Sequence, residues 1–446
     1  MVSMSSDVTF PEKKEQLQDK VVTKKGLRVA FFSSLPADMG SGCEHLIYDT
    51  AKALIARGHD ARIYLMTRGK EENKPSFVHQ IPTVPFERAV AKRLARLTGI
   101  NDMFFPSTVL LRFGPWLSSA DIWHFHNLHA NYISLPLLGL LSWTKRIIIS
   151  PVDQYLSTGY CPYTIDCTRY RDGCGSCPRL AEPYPGISRD TTHFLWKVKR
   201  LFFRKSNVGM LFHTRALAAH YAETFVGCRP SRTIHYGIDV NEYRIISRSA
   251  CSVKLGISQS SRFVVGLFHS DITDPRKGIL PLVKALSDLS DRLSDSIHLL
   301  VVGHGSYAVR ATASLNLQVT SLPFIKDPQQ LAAALNLCDV LLYPTRAENL
   351  SLTCLSALAC GVPVITYDVG GQSEAVLDGV NGFVVPVNDS GAMLEALTRM
   401  VLNPQLCRQL SEGARRTAEE GFDFDRYIDD LITYYNEQVR TSIPLR

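Results

Sequence analysis

The sequence predicts an α/β protein with two doubly wound domains. Short apolar runs typical of buried strands alternate with helical patterns, and they do so in two separate series. Strands that alternate with helices favour parallel sheets covered by helices on both faces. In such sheets, ligands bind in the crevice at the carboxyl ends of the strands.

The first series opens with a complete β-α-β pattern. Leu27–Ser34 is an apolar run typical of a buried strand, and after a Gly-rich turn an amphipathic helix is predicted from about Glu44 to Arg57. Gly58 is expected to stop this helix before the strand "ARIYLMT". Further strands of the series are predicted at "ADIWHFHN", "RIIISP" and "VGMLFHT".

The second series starts near residue 262, with predicted strands at "RFVVGLFHS", "IHLLVVGHG", "DVLLYPT", "PVITYDVGG" and "GFVVP". The N-terminal segment is polar and lacks the apolar core of a signal peptide, so it is expected to be flexible. The 446 residues therefore divide into a tail (1–25), a first domain (26–236) with a cysteine-rich insertion (158–186), a second domain (237–424) and a C-terminal helix (425–446) that returns toward the first domain.

Charge is unevenly distributed along the chain. Residues 1–240 carry a net charge of +11 and residues 241–446 carry −4, which together give +7. A basic half indicates an anionic partner, such as nucleic acid or an anionic membrane surface, unless the clustering is chance. Nucleic acid is disfavoured because the sequence has no helix-turn-helix, zinc-finger or RNA-binding signature.

Two basic amphipathic stretches, "FERAVAKRLARLTG" and "FLWKVKRLFFRKS", favour a membrane interface, although two ordinary surface helices are the alternative. The longest apolar stretch, Tyr132–Trp143, is too short to span a bilayer. Cysteines in apolar segments, such as Cys338, suit a reducing compartment. The sequence thus predicts a cytoplasmic protein, with peripheral attachment to the inner face of the plasma membrane as an option.

Two segments of the second half carry residues suited to phosphate and sugar. Arg276 and Lys277 precede a predicted helix start, where free N–H groups and two cations suit phosphate; an ordinary basic first turn is the alternative. Arg346, Glu348 and Asn349 lie between a strand end and a helix. Glu348 could accept hydrogen bonds from sugar hydroxyls, or serve as a helix N-terminal charge.

Several stretches, in order, resemble glycosyltransferase family 4, the retaining enzymes of the GT-B fold. They are "SGCEHLIYDTAKALIARGH", "DIWHFHN", "YGID", "DPRKG", "VVGHGS", "CDVLLYPTRAEN", "ALACGVPVITYDVGG" and "NGFVVP". The resemblance implies two domains facing across a cleft, with a UDP- or GDP-sugar donor on the second domain and an acceptor on the first. It implies no metal ion or other cofactor for catalysis.

The resemblance also assigns roles to individual residues. Gly42 would lie beside the donor phosphate, His126 would be the active-site histidine, and Glu348 would contact the donor sugar. For His126, a core histidine at a strand end is the alternative. The expected donor site also contains the following residues: Arg276, Lys277, Gly303, Arg346, Asn349 and Ser356.

Three positions depart from the family pattern. Ser356 stands where the second glutamate of the E-x7-E motif is expected, Tyr236 replaces the asparagine before "GID", and Val152 precedes Asp153 where a His-Asp pair is usual. Asp153 is retained as a candidate catalytic residue. Because of these changes, a non-catalytic GT-B protein that binds a glycan or a partner transferase is the alternative function.

A glycosyl transfer needs the departing diphosphate to be stabilised. Arg276, Lys277 and helix N-termini would supply that stabilisation without a metal ion. The family's retaining outcome is attributed to attack from the same face, with the leaving phosphate taking the acceptor proton. His126 is then expected to hydrogen-bond phosphate or acceptor rather than act as a general base.

Four cysteines are concentrated in "CPYTIDCTRYRDGCGSC", with the spacing C-x5-C-x6-C-x2-C. A structural zinc ion, packed thiols, disulfides and an iron–sulfur cluster all remain open; the zinc ligands would be Cys161, Cys167, Cys174 and Cys177. The segment resembles a branch of family 4 from capsule and exopolysaccharide pathways. That resemblance implies an insertion near the acceptor side and a role in exopolysaccharide, capsule or O-antigen assembly with a glycan or lipid-linked glycan acceptor.

Overall fold

The protein is represented by a computed structural model that describes residues 26–34, 42–66, 75–129, 132–180, 189–258, 260–293, 296–309 and 318–441. The predicted tail and the last part of the predicted insertion, residues 181–186, lie outside these segments. The described residues form two parallel sheets, each with helices packed against it.

The first sheet has seven parallel strands in the order β3-β2-β1-β4-β5-β6-β7. The strands are β1 Arg28–Ser33, β2 Asp60–Leu65, β3 Val78–Gln80, β4 Ile122–His126, β5 Ile147–Ser150, β6 Gly209–Phe212 and β7 Ser231–Thr233. The helices that follow them in the chain are α1 Gly42–Ala56, α2 Glu87–Thr98, α3 Ser107–Leu110, α4 Pro115–Ser119, α5 Leu135–Leu141, α6 Thr192–Phe203 and α7 Arg215–Ala222.

The second sheet has six parallel strands in the order β10-β9-β8-β11-β12-β13. The strands are β8 Phe263–Asp271, β9 Ile297–His304, β10 Gln318–Leu322, β11 Val340–Tyr343, β12 Val364–Tyr367 and β13 Gly382–Val385. Its helices, with the C-terminal one, are α8 Arg248–Leu255, α9 Ile279–Leu293, α10 Pro328–Asn336, α11 Leu352–Ala359, α12 Gln372–Ala375, α13 Ser390–Leu402, α14 Pro404–Gly421 and α15 Phe424–Arg440.

Both sheets are doubly wound, so each has a point where the strand order reverses. That point lies between β1 and β4 in the first sheet and between β8 and β11 in the second. A crevice for ligands forms at such a point, outside the carboxyl ends of the strands. The predicted fold class, two doubly wound α/β domains, is therefore confirmed.

Apolar packing joins the two domains and the C-terminal helix. One core cluster contains Val29 and Phe31 of the first sheet, Leu341 of the second sheet and Leu431 of α15. The other face of each sheet has a cluster of its own. Burial of a large apolar side chain is worth about 1.5–3 kcal/mol, so the shared cluster makes a substantial contribution to the domain contact.

The chain crosses between the domains twice, and the two crossings pair with each other. Ile238 N donates to Phe422 O at 2.7 Å, and Phe424 N donates to Ile238 O at 3.1 Å. A side chain at Gly237 would meet the Cα of Phe424 at 2.5 Å, so this close approach requires glycine. The crossings therefore form a short two-stranded connection.

Helix α15 follows the second crossing and packs on the first domain. The Tyr435 hydroxyl lies 2.6 Å from His124 Nδ1, and Arg57 pairs with Asp425 at 2.6 Å. Tyr435 is fully buried. Among the helices of the described segments, none combines the length and apolar character needed to span a bilayer.

Candidate functional site

Several of the buried polar atoms that lack a partner lie at the carboxyl ends of strands in the two sheets, while others are scattered elsewhere. Within the described segments, these atoms have no hydrogen-bond partner although they are shielded from solvent. They include Ser34 Oγ after β1, both ring nitrogens of His126 on β4, Asn127 Oδ1, His213 Nε2 after β6, His269 Nε2 on β8 and Asn349 Nδ2 after β11. Buried polar groups are normally satisfied, so such a group of exceptions indicates a place for ligand or water.

The histidines at these strand ends are neutral. Burial lowers the pKa of His126 to about 3, with a further contribution from His213, and burial likewise lowers the pKa of His213 to about 3. Burial and the nearby Lys277 and Arg276 lower the pKa of His269 well below its ordinary value. Neutral imidazoles offer one donor and one acceptor each, which suits hydrogen bonding to hydroxyl or phosphate groups.

The predicted basic pair lies on one tight turn beside β11. Residues Pro275–Lys277 form a 3-10 turn, and the Asp274 carboxylate caps it by accepting from Arg276 N at 2.9 Å. Gly278 follows with φ of 66°, and a side chain there would meet the carbonyl oxygen of Pro344 at 2.2 Å. Glycine is thus required for the close approach that brings Lys277 toward Glu348.

Lys277 and Glu348 form an ion pair that is almost buried. Lys277 Nζ lies 2.9 Å from Glu348 Oε2, and the two side chains are 12% and 16% exposed. Tyr343 Oη donates to the same carboxylate oxygen at 3.2 Å. Burial would raise the pKa of Glu348, but Lys277 and these hydrogen bonds hold it below its ordinary value. Glu348 is therefore a carboxylate at neutral pH and can accept hydrogen bonds.

The other predicted donor-side residues lie around this pair. The Arg346 side chain is exposed, and its backbone N donates to Arg276 O at 2.7 Å. Asn349 Oδ1 accepts from Thr214 Oγ1 of the first domain at 2.6 Å. Gly303 lies on β9 against the carbonyl of His269, and Gly42, at the start of α1, lies against Leu352 at the start of α11.

Asp153, the predicted catalytic carboxylate, is bound within the first domain. Asp153 Oδ2 lies 2.7 Å from His129 Nδ1, and Oδ1 accepts from Tyr155 N at 2.9 Å. Burial opposes the charged imidazolium, but Asp153 raises the pKa of His129 above its ordinary value. A His–Asp pair is thus present, with the histidine supplied by the segment after β4 instead of residue 152.

Ser356 and Tyr236, two other departures from the family pattern, also contact neighbouring side chains. Ser356 is buried on α11 and lies near the Tyr243 phenol. Tyr236 stacks on His213 with ring centroids 4.0 Å apart. Ser356 therefore lies near a tyrosine of its own domain, whereas Tyr236 packs against the ring of His213, whose Nε2 has no partner.

The four cysteines of the insertion are free thiols. Burial, followed by Cys177 and Cys174, raises the pKa of Cys161 to about 12, and the Cys174 sulfur accepts from Gly159 N at 3.2 Å. In the part of the chain that the structure describes, no three or more His, Cys, Asp or Glu side chains are grouped to hold a metal ion. The thiols as placed do not fit a zinc site, and zinc binding stays a prediction.

Sequence reasoning missed two contacts between the domains. Glu374, on α12, accepts from the N–H groups of Arg215 and Ala216 at 2.9 and 2.8 Å, and its Oε2 lies 2.7 Å from His235 Nε2. Tyr163, in the cysteine-rich insertion, lies over Arg276 of the second domain. The expected place of the insertion near the acceptor side stays a prediction; the structure brings Tyr163 of the insertion against the basic turn.

Residues 268–417 match the family model of glycosyl transferases group 1. The matched segment contains the basic turn, Glu348 and α11. A D-inositol 3-phosphate glycosyltransferase from Saccharomonospora viridis is 33% identical over 218 residues, which is 46% of this chain and 50% of that protein. An N-acetyl-alpha-D-glucosaminyl L-malate synthase from Bacillus anthracis is 25% identical over 47% of this chain and 54% of that protein. The chain spans about half the length of the curated relatives it matches.

Solved structures resemble the chain over nearly its whole length. Sucrose-phosphate synthase from Thermosynechococcus elongatus has a TM-score of 0.68 at 17% identity, covering 93% of this chain and 100% of that one. HepE from Anabaena in complex with UDP has a TM-score of 0.64 at 18% identity, covering 92% and 100%. These likenesses confirm the predicted GT-B fold, with two Rossmann-like domains facing across a cleft.

Proposed function

We propose that this chain is a retaining glycosyltransferase that transfers a sugar from a nucleotide-diphosphate donor to a glycan or lipid-linked glycan acceptor. The observation that carries the proposal is the set of unpartnered buried polar atoms at the strand ends of both sheets, beside the basic pair Arg276 and Lys277. The match of residues 268–417 to glycosyl transferases group 1 supports the same assignment for the donor side. HepE, which shares the fold, is described in complex with UDP.

The residues suit the chemistry of the transfer. The bond between the anomeric carbon and the diphosphate breaks, and the acceptor oxygen bonds to the same face of that carbon. Arg276 and Lys277 would stabilise the negative charge that grows on the departing diphosphate, which in turn takes the acceptor proton. Glu348 would hold sugar hydroxyls, and the neutral His126 would hydrogen-bond phosphate or acceptor.

A role in exopolysaccharide, capsule or O-antigen assembly forms the finer part of the proposal. It rests on the cysteine-rich segment, because the relatives described above are named for inositol 3-phosphate and malate rather than for a polysaccharide. Attachment to an anionic membrane surface belongs to the same proposal. Its support is a set of exposed apolar and basic residues on and beside α2 and α6: Phe86, Arg88, Val90, Lys92, Arg93, Leu97, Phe194, Lys197 and Leu201.

Lys199 belongs to the basic stretch "FLWKVKRLFFRKS" and was predicted to lie on this surface. That part of the interpretation is wrong, since Lys199 is 1% exposed and donates to the carbonyls of Tyr155 and Thr158. Co-sedimentation with vesicles tests the remainder. Binding to anionic vesicles and not to neutral ones is expected, and equal recovery with both would refute membrane attachment.

Thermal unfolding with a panel of UDP- and GDP-sugars tests the donor assignment. A ligand that binds the native state at about 100 times its Kd adds about 2.7 kcal/mol to the free energy of unfolding, so one donor class should raise Tm. The absence of any shift across the panel, at millimolar concentration, would refute the proposal.

A non-catalytic GT-B protein is the second candidate because Ser356 replaces the glutamate that the resemblance expects to contact the donor ribose. Ser356 is also buried, near Tyr243 of its own domain. A turnover assay with the stabilising donor separates the two functions. Release of the nucleotide diphosphate together with glycosylated acceptor supports the enzyme, and binding without release supports the binding protein.

A further inference from the structure

Tyr163 belongs to the cysteine-rich insertion of the first domain but contacts the second domain. The centroid of its ring lies 5.6 Å from the Arg276 guanidinium carbon. A guanidinium within about 6 Å of an aromatic ring is attracted to the ring face. Arg276 is also paired with Asp274 at 2.6 Å, so the ring and the carboxylate act on the same cation.

The Tyr163 phenol is neutral and lies among the predicted site residues. Burial raises its pKa well above the ordinary value, and the carboxylates Glu348 and Asp153 raise it further. One of these carboxylates belongs to each domain. Tyr163 thus lies where the two sets of candidate site residues approach each other, and its hydroxyl can donate as well as accept a hydrogen bond.

Hydrogen bonds on both sides of Tyr163 fix its backbone. Gln154 N donates to Pro162 O at 2.7 Å, and Gln154 Oε1 accepts from Thr164 N at 2.6 Å. Gln154 Nε2 lies 3.3 Å from His220 Nδ1 on α7. Gln154 therefore ties both neighbours of Tyr163 to the body of the first domain, Pro162 through its backbone N–H and Thr164 through its side chain.

The base of the insertion is held by a buried lysine. Lys199 Nζ, on α6, donates to Tyr155 O at 2.7 Å and to Thr158 O at 3.0 Å, and it lies 3.4 Å from the centroid of the Tyr155 ring. Thr158 Oγ1 in turn donates to Cys161 O at 2.8 Å. The path from α6 to Tyr163 is thus fixed at successive points, as expected for a residue that must be placed accurately.

We infer that Tyr163 is a positioning residue of the donor site. Its ring holds Arg276 ready for the diphosphate of a nucleotide-sugar. The inference rests on the proposed function and extends it, because it makes the cysteine-rich insertion part of the donor site. It also distinguishes the ring from the hydroxyl, since attraction to Arg276 needs the ring alone.

Titration of the full chain with UDP and with GDP in a calorimeter tests the inference. Tyr163→Ala is expected to weaken the binding of whichever nucleotide the wild type prefers by about three- to tenfold, from the loss of one cation–π contact. Tyr163→Phe and Tyr163→Trp keep a ring and should bind within twofold of the wild type. Arg171→Ala is the matched control, since Arg171 lies in the same insertion and pairs with Glu223 on the exposed surface.

The outcomes separate the inference from the function on which it rests. Normal nucleotide binding by Tyr163→Ala would overturn the inference and leave the proposed function standing. Equal weakening by Tyr163→Ala and Arg171→Ala would also overturn it, because the insertion would then act through general disruption. Failure of the wild type to bind either nucleotide would refute both. Hydrogen exchange supplies an independent check: nucleotide should protect residues 154–164 in the wild type and less so in Tyr163→Ala.

Discussion

Replacement of Lys277 by alanine should affect stability and nucleotide binding through the same atom. The change removes the partner of Glu348 at 2.9 Å and leaves an almost buried carboxylate without its cation. Breaking a buried ion pair costs about 3–5 kcal/mol, and the lower end, about 3 kcal/mol, applies here because both side chains retain some exposure. The Glu348 carboxylate keeps its hydrogen bonds from Tyr343 and Asn349 N, which limits the loss further.

The pH dependence of this loss follows from the pKa of Glu348. In the wild type that pKa is held below its ordinary value, so the stabilisation is present above about pH 4.5 and is lost as pH falls through the folded-state pKa. In Lys277→Ala, burial is no longer opposed by the cation and should raise the pKa. The variant then loses stability as pH rises from about 5 to 7, so its deficit relative to the wild type is largest at neutral pH.

Urea denaturation, monitored by circular dichroism at pH 5 and pH 7.5, measures the loss of stability and its dependence on pH. The double variant Lys277→Met/Glu348→Gln should recover most of the stability but not the nucleotide affinity. Lys284→Ala is the matched control, since Lys284 is an exposed lysine on α9, and it should match the wild type in stability and in nucleotide affinity. A deficit of equal size at the two pH values, or no deficit at all, would refute the reasoning about the ion pair.

The remaining predictions concern four other positions. Glu374→Gln should weaken the contact with α7 and increase the radius of gyration in small-angle scattering, and a wild-type radius would contradict this. Burial opposes the charged form, but the hydrogen bonds from His235 and from the N–H groups of Arg215 and Ala216 lower the pKa of Glu374, so the native contact should weaken as pH falls below about 4.5. Burial lowers the pKa of Lys199 to about 7, so wild-type stability should rise as pH increases from about 7 to 10; a Lys199→Met variant that keeps this rise would assign it to another group. Ser356→Glu places a carboxylate in a buried position and should lower the free energy of unfolding by about 2–3 kcal/mol in urea denaturation, whereas unchanged stability with tighter nucleotide binding would show that the site has room for it. The cysteine spacing predicts about one zinc ion per chain, held in part by Cys177, whereas the thiols as placed do not form a zinc site. Elemental analysis of protein purified without added metal decides between the two: one equivalent that a Cys177→Ser variant loses supports zinc, and less than about a tenth of an equivalent leaves the cysteines as packed thiols.

The sequence was most informative where strands are buried on both faces. The predicted runs at Leu27–Ser34 and in "RIIISP" correspond to β1 and β5, which are almost entirely buried. The edge strands β3, β7 and β10 were missed. They contain VHQ, SRT and QVTSL, and a strand at the edge of a sheet is covered on fewer sides and needs no continuous apolar run.

Motif comparison placed the donor-side residues near one another, but it could not supply their partners. The contact of Lys277 with Glu348 follows the order of strands in the sheet, so strand-end motifs can suggest it. The contact of Tyr163 with Arg276 joins an irregular loop to another domain, and no periodicity or spacing encodes it. Lys199 was misplaced for a related reason: its position on a basic helical face indicates exposure, while carbonyls of a distant loop make its burial possible.

The paired crossings at Ile238 and Phe424 determine how the molecule can be divided. A fragment that ends at residue 236 would contain every strand of the first sheet but would lack α15, leaving His124 without the Tyr435 hydroxyl and an apolar surface open to water. The first domain is therefore discontinuous in the chain, since it needs the C-terminal residues to be complete. Expression of that domain alone would call for α15 to be joined to it by a linker or added as a peptide, and ligands could then be assigned to one domain at a time.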